Sequence, residues 1–269
     1  KDGKDEPKMA FTVHAVMPGV WHIVDCMGVC MTLLEGENAA MLVDTGYGIE
    51  DVADFMRHMT DLPLTVFLTH NHHDHAMGAR CFPETYMLEA DMADWRMFTD
   101  DKMRRRVLTQ AIGKNLPVDE KTFLAGEIPL PKVMKPGVID LGGLTAEIIE
   151  APGHTPGSAV VYVPERKLLL SGDDWNPCTW LFFPQALGLR EYRSNMRGIQ
   201  QLPFEKVLCP HREALYDRWM FDDFFNALTD GNLRAAEPVN IAPYEQIDTC
   251  QATLPHDQVL VFDWAKSGL

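Results

Sequence analysis

The chain has 269 residues, 46% of them hydrophobic and 23% charged, with 39 acidic against 24 basic side chains and a formal net charge of -15. That composition belongs to a packed globular protein, and the charge argues against phosphate backbones and anionic lipid heads as partners. No run of about 18 apolar residues is present to span a bilayer, so neither nucleic acid nor membrane is an expected partner.

Lys1 to Lys8 is charged and polar where a signal peptide would need an apolar stretch, and a cytoplasmic location is expected. The chain does not begin with Met, which leaves an export signal upstream of Lys1 open. Cys26, Cys30, Cys81, Cys178, Cys209 and Cys250 are too sparse for a disulfide framework and read as reduced thiols.

Short apolar runs at Phe11 to Val16, Val20 to Val24, Val29 to Leu34 and Ala39 to Val43, each closely followed by Gly or Asp, predict an antiparallel meander. Val52, Phe55, Met56 and Met59 recur at helical spacing within Ile49 to Met59. Leu64 to Thr69 is nearly continuous in apolar residues, as in a strand buried on both faces. Residues 91–138 change character, with helical stretches, four prolines and a basic cluster at Lys102, Arg104, Arg105 and Arg106. The region reads either as a helical insertion or lid that shapes a substrate entrance or a homodimer contact, or as a solvated helix face. Strands resume at Leu144 to Ile149, Ala159 to Val163 and Lys167 to Leu170, followed by a helix near Glu191 to Gln201. The short run Val207 to Leu208, a helix over Tyr216 to Leu228 and a strand at Val259 to Phe262 complete the pattern. The order of elements predicts an α/β protein with two sheets between helical layers, and one domain over 1–269.

Chemistry concentrates in Thr69-His70-Asn71-His72-His73-Asp74-His75, which holds four of the ten histidines. His70 and His72 are two apart and project to one side while the chain stays extended, and the following turn can bring Asp74 and His75 to an adjacent point. Imidazoles with one carboxylate suit zinc, with iron or manganese as alternatives. The same donor types recur where other strands end: His154 in Ala151-Pro152-Gly153-His154, Asp173 in Ser171-Gly172-Asp173-Asp174, and His211 after Cys209-Pro210. Each of these alone is most often a turn or capping residue.

With Met41-Leu42-Val43-Asp44-Thr45-Gly46 upstream, these segments resemble, in order and form, the motifs of the metallo-β-lactamase superfamily from about Val13 to His211. The resemblance implies a four-layer αβ/βα sandwich of two mixed sheets flanked by helices. It implies one metal held by His70, His72 and His154, a second by Asp74, His75 and His211, and Asp173 as the bridge. Asp44 would support the ligand loop, while His73 falls at a non-ligand position. Asp174 sits one beyond the bridge, with an exchange of roles between the two aspartates left open, and Cys209 is not expected to be a ligand.

Two zinc ions per chain would share a water, lower its pKa and hold it as hydroxide against a carbonyl or phosphoryl group, with Asp74 orienting it. His72 stands where flavin-linked diiron oxygen reductases usually carry an acidic residue. The candidate bridge resembles thioesterases of the glyoxalase II type, lactonases and phosphodiesterases more than true β-lactamases. The expected function is therefore hydrolysis of a small-molecule ester, thioester or lactone. A phosphodiesterase or a β-lactamase-like activity at the same site is the alternative, and a non-catalytic metal-binding or sensory module is a reading from another class. For the pocket, Trp175 and the apolar stretch to Phe183 offer a wall or core, and Arg212 and Arg190 offer anchors for an anion.

Overall fold

The computed structural model describes residues 11–269; the charged start, Lys1 to Lys8, lies outside them. Strands β1 (Thr12–Met17), β2 (Val20–Val24), β3 (Cys30–Glu35) and β4 (Ala40–Val43) pair as the expected antiparallel meander. Helix α1 (Val52–Met59) begins at Val52 rather than Ile49 because the Asp51 carboxylate caps it, accepting from Asp54 N at 2.9 Å. Strand β5 (Leu64–Phe67) then joins β4 in parallel. After the short helix α2 (His73–Ala76), β6 (Tyr86–Met87) extends the sheet.

Residues 91–138 form three helices, α3 (Trp95–Thr99), α4 (Asp101–Gly113) and α5 (Glu120–Phe123), before β7 (Lys132–Val133) closes the seven-stranded sheet. The basic cluster there splits by face. Arg104 is buried and donates to the carbonyls of Phe123, Ala125 and Gly126, stapling α4 to the end of α5, whereas Arg105 and Arg106 are exposed.

The second sheet carries β8 (Gly137–Asp140), β9 (Thr145–Glu150), β10 (Ala159–Val163) and β11 (Leu168–Leu170) as antiparallel neighbours. Strand β12 (Cys178–Leu181) leaves this sheet, and α6 (Leu189–Ile199) follows it. Strand β13 (Lys206–Leu208) then adds in parallel to β11, and β14 (Tyr216–Asp217) pairs antiparallel with β13. That pairing explains why helix α7 (Arg218–Ala227) starts at Arg218 and not at Tyr216. Past α8 (Asp230–Arg234), strands β15 (Glu237–Pro238), β16 (Thr249–Leu254) and β17 (Gln258–Asp263) join β12 in a four-stranded sheet, of which the sequence pattern predicts only the last strand. None of the described helices is long and apolar enough to cross a membrane.

Period-two alternation sets the layers. On β10, Ala159, Val161 and Val163 meet Val20, Leu34, Met41, Val43 and Phe67 of the first sheet, so the two sheets pack face to face. Val160 and Tyr162 point the other way, onto α6 and α7 through Tyr192, Met196, Phe221 and Phe224. In the first sheet, Met31, Leu33, Leu42 and Val66 turn outward onto Val52, Phe55 and Met56 of α1. The result is helix, sheet, sheet, helix, the expected αβ/βα order. The three-helix region packs Trp95, Val107, Ala111 and Phe123 onto Ala76 and Met77 beside α2. Phe221 is fully buried against Trp175, Phe204 and Phe225. Phe221→Ala is expected to cost about 3–5 kcal/mol of stability in denaturant unfolding; a loss below about 1 kcal/mol would show that this layer tolerates collapse.

Candidate metal centre

Five strand ends converge at one edge of the two packed sheets. Asp44 follows β4, His70 follows β5, His154 follows β9, Asp173 follows β11 and His211 follows β13. The chain after β4 is bent so that Asp44 adopts φ 64°, a left-handed conformation uncommon outside Gly and Asn/Asp. This turn presses on the end of α2: a Cβ on Gly78 would lie 2.1 Å from the Thr45 carbonyl oxygen, so only glycine fits there.

The side chains fall into two neighbouring groups. His70, His72, His154 and Asp173 form one, and Asp74, His75 and His211 form the other; within each, the donor atoms lie within 4.8 Å of one another. Asp173 faces both. Its carboxylate is 3.4 Å from His154 Nε2 and 3.9 Å from His70 Nε2 on one side, and 3.5 Å from His75 Nε2 and 3.0 Å from His211 Nε2 on the other. Asp74 Oδ2 lies 3.7 Å from both His75 Nε2 and His211 Nε2. His73 stays outside both groups, edge-on to Tyr47.

The outer nitrogens of His70, His72, His75 and His154 are engaged, which sets which nitrogen faces inward. The carboxylate of Asp44 accepts from Thr69 N at 2.7 Å, from the Thr69 hydroxyl and from His75 Nδ1 at 3.0 Å. Thr69 Oγ1 is in turn 3.0 Å from His70 Nδ1, and the Trp180 carbonyl accepts from His154 Nδ1 at 2.7 Å. Each contact turns Nε2 inward, where it offers a lone pair once the imidazole is neutral. His72 is reversed: its Nε2 is 2.7 Å from the Gln185 side-chain amide and its Nδ1 turns inward, 2.8 Å from His154 Nε2. The atom of Gln185 placed at His72 Nε2 is the amide nitrogen, its oxygen having no partner; exchanging the two by an amide flip lets the oxygen accept from Nε2–H and frees the Nδ1 lone pair for a metal.

Protonation follows environment. Burial drives His70 and His72 well below the usual imidazole range and lowers His154, so all three are neutral and free to donate a lone pair. Burial acts against charge on His75 and His211 too, but the Asp173 and Asp74 carboxylates outweigh it and raise both. Burial likewise opposes ionisation of Asp74, yet His75, His73 and His211 hold its carboxyl down to about 2. His70 Nε2 and His75 Nε2 are buried with no hydrogen-bond partner. Unpartnered inward nitrogens, neutral imidazoles and ionised carboxylates make a donor set that fits divalent metal.

Two supports act through contacts that the sequence does not show. Asp91, at the head of the three-helix region, accepts from Asn71 N at 3.2 Å, Thr155 Oγ1 at 2.7 Å and Gly157 N at 2.6 Å, tying the His70 loop to the His154 loop. Asp174 Oδ1 accepts from His154 N at 2.9 Å, and burial holds that carboxyl well above the ordinary range. Both look like ordinary turn acids in sequence, because their partners lie on other strands.

A cavity of about 470 Å³ opens over the two groups, lined by Tyr47, Phe98, Trp180, Phe183, Tyr244 and the arginines Arg106 and Arg212 among others. The stretch read as wall or core divides: Asn176, Cys178, Trp180 and Phe183 line the cavity, while Trp175 does not. Trp175 is fully buried, its Nε1–H donating to Gln258 Oε1 at 3.2 Å, so its candidacy as a substrate contact fails on access. Arg190 is exposed and is not part of the lining, and Cys209 is buried outside both donor groups.

The model of the metallo-β-lactamase superfamily matches residues 24–211, and the chain belongs to that family. It is a hydrolase of that fold. Among relatives, it is 26% identical over 202 residues to the acyl-coenzyme A thioesterase MBLAC2 of Gallus gallus, covering 66% of this chain and 70% of that one. Similar solved structures include a metallo-β-lactamase family protein from Thermus thermophilus, with TM-score 0.56, 19% identity and 82% of each chain covered. Another is a metallo-β-lactamase from Pontibacter korlensis, with TM-score 0.58 and 17% identity over 80% of this chain and 97% of that one. These structural likenesses concern the fold.

Metal binding must displace protons from His75 and His211, whose folded-state pKa values are raised. Calorimetry in buffers of different ionisation enthalpy is expected to show proton release on metal binding and an affinity that climbs with pH through the imidazole range; a pH-independent affinity would contradict this donor set. Gln185→Leu, which removes the amide at His72 Nε2, is expected to weaken metal binding about 10–100-fold, and unchanged affinity would show that this contact does not set the tautomer.

Proposed function

We propose that the protein is a dinuclear zinc hydrolase that cleaves a small-molecule ester or thioester. The observation that carries this reading is Asp173, placed between two donor groups at the floor of one cavity. The thioesterase activity named for the Gallus gallus relative favours a thioester among the acyl substrates.

His70, His72 and His154 would hold one ion, and Asp74, His75 and His211 the other, with Asp173 reaching both. The donors are imidazoles and carboxylates without a thiolate, a set that suits zinc and also admits iron or manganese. Bound metal would supply Lewis acidity toward the acyl oxygen and lower the pKa of the attacking water. The chain's own contribution begins with Asp74. Its carboxylate is ionised across the physiological range and borders the cavity, so it accepts a hydrogen bond from that water and aims it at the carbonyl carbon. Addition of water to the carbonyl followed by loss of the sulfur or oxygen leaving group yields a carboxylic acid and a thiol or alcohol. Phe98 and Phe183 pack against the His72 ring, at 4.5 and 4.7 Å between centroids, and exclude bulk water from that side. The acidic surface agrees with a small-molecule substrate and not with nucleic acid.

The zinc-loaded protein is expected to hydrolyse an acyl thioester in preference to a lactone, a β-lactam and a phosphodiester, and to lose turnover with chelator. Asp74→Ala should lower kcat by at least about a hundredfold. Turnover of the phosphodiester alone would replace the acyl reading with its phosphoryl alternative, and full activity in Asp74→Ala would remove the proposed role of that residue.

A further inference from the structure

The cavity is lined asymmetrically. Against the His70, His72 and His154 group stand aromatic rings: Phe98 and Phe183 on His72, Phe183 on His154 at 5.4 Å between centroids, then Trp180 and Tyr244 packed on Phe183. Beside the Asp74, His75 and His211 group the lining is cationic. Arg212 directly follows His211, and Arg106, on α4, lines the same cavity.

Neither arginine has a carboxylate partner among the described residues. The Arg212 guanidinium donates only to the carbonyl of the adjacent His211, at 2.8 Å, and that of Arg106 makes no side-chain hydrogen bond. Other exposed arginines, Arg105, Arg190 and Arg234 among them, also meet no carboxylate of the described residues, so what singles out Arg106 and Arg212 is their place in the cavity lining. Arg106 and Gln110 are one helical turn apart on α4, and both line the cavity. The staple made by Arg104 fixes the helix that carries them. Two guanidiniums without carboxylate partners in the lining of a cavity that also has an aromatic wall make a site for an anion tethered to an apolar group.

We propose that Arg106 and Arg212 form an anion-binding rim, and that the substrate is an apolar acyl thioester or ester whose leaving group carries a phosphate or carboxylate. This rests on the acyl-hydrolase reading. The acyl part lies against Phe98, Phe183, Trp180 and Tyr244, the scissile carbonyl lies over the two donor groups, and the charged end of the leaving group reaches the arginines. The three-helix region is thus a specificity element, because it supplies both Phe98 and Arg106.

The test uses the full metal-loaded chain and octanoyl thioesters of pantetheine, of 4′-phosphopantetheine and of 3-mercaptopropionate, the first neutral in its leaving group and the others anionic. The KM for an anionic ester is expected to be at least about tenfold below that of the neutral one, with the advantage shrinking in high salt. Arg106→Gln and Arg212→Gln should each take away most of that ratio, whereas Arg234→Gln on α8 should preserve it. Which anionic ester benefits separates a phosphate from a carboxylate. Binding of the matching non-hydrolysable thioethers, measured by calorimetry, reads the rim without turnover. Tight, arginine-dependent binding of the anionic thioether without hydrolysis of any ester would keep the rim and overturn the acyl-hydrolase reading. Equal affinity for neutral and anionic thioethers, or a ratio unmoved by both arginine variants, would overturn the rim.

Discussion

Burying imidazoles and carboxylates so that their polar atoms face one another is costly unless something completes their coordination, and the rest of the site is arranged around that constraint. The inward nitrogens of His72 and His154 are 2.8 Å apart while their outer nitrogens are engaged by Gln185 and the Trp180 carbonyl. Two lone pairs so close repel unless a cation or proton sits between them. Asp44 accepts the consequences on the other side: it takes a left-handed backbone and gathers Thr69 and His75 on one carboxylate, so that the second donor group is held by the same turn that ends β4.

The fold makes this arrangement possible by ending its strands at one edge. β4 and β5 run parallel in one sheet, β11 and β13 in the other, and the two sheets pack face to face, so donors separated by many residues in sequence meet across the seam. Arg104, buried among the carbonyls that follow α5, anchors the three-helix region over the same edge. That region then contributes cavity lining as well as Asp91, which ties the two histidine loops together.

Much of this was legible because it is written in local pattern. The meander from Thr12 to Val43, the buried strand before His70 and the histidine-rich turn each announce themselves through alternation or residue type. The donors at His154, Asp173 and His211 were individually weak and became readable only as an ordered set. What stayed hidden depends on contacts between distant segments. Strand β16, Thr249–Leu254, has only a weak alternation of mostly small residues, and its place is set by pairing with β17, the one strand of that sheet with an apolar run the pattern predicts. Trp175 resembled a pocket residue because it follows Asp173 closely, yet the chain turns it into the core toward Gln258. Gln185 and Asp91 act through partners on other elements, so nothing in their own neighbourhoods marks them, whereas Asp174, set beside the bridge in sequence, turns to His154 N and lies outside both donor groups.

Anomalous diffraction at the zinc edge, from crystals of the zinc-loaded protein, tests the dinuclear centre most directly. Two metal peaks per chain are expected, one contacted by His70, His72 and His154, the other by Asp74, His75 and His211, with the Asp173 carboxylate touching both. A single peak, or a second one that Asp173 does not reach, would contradict it.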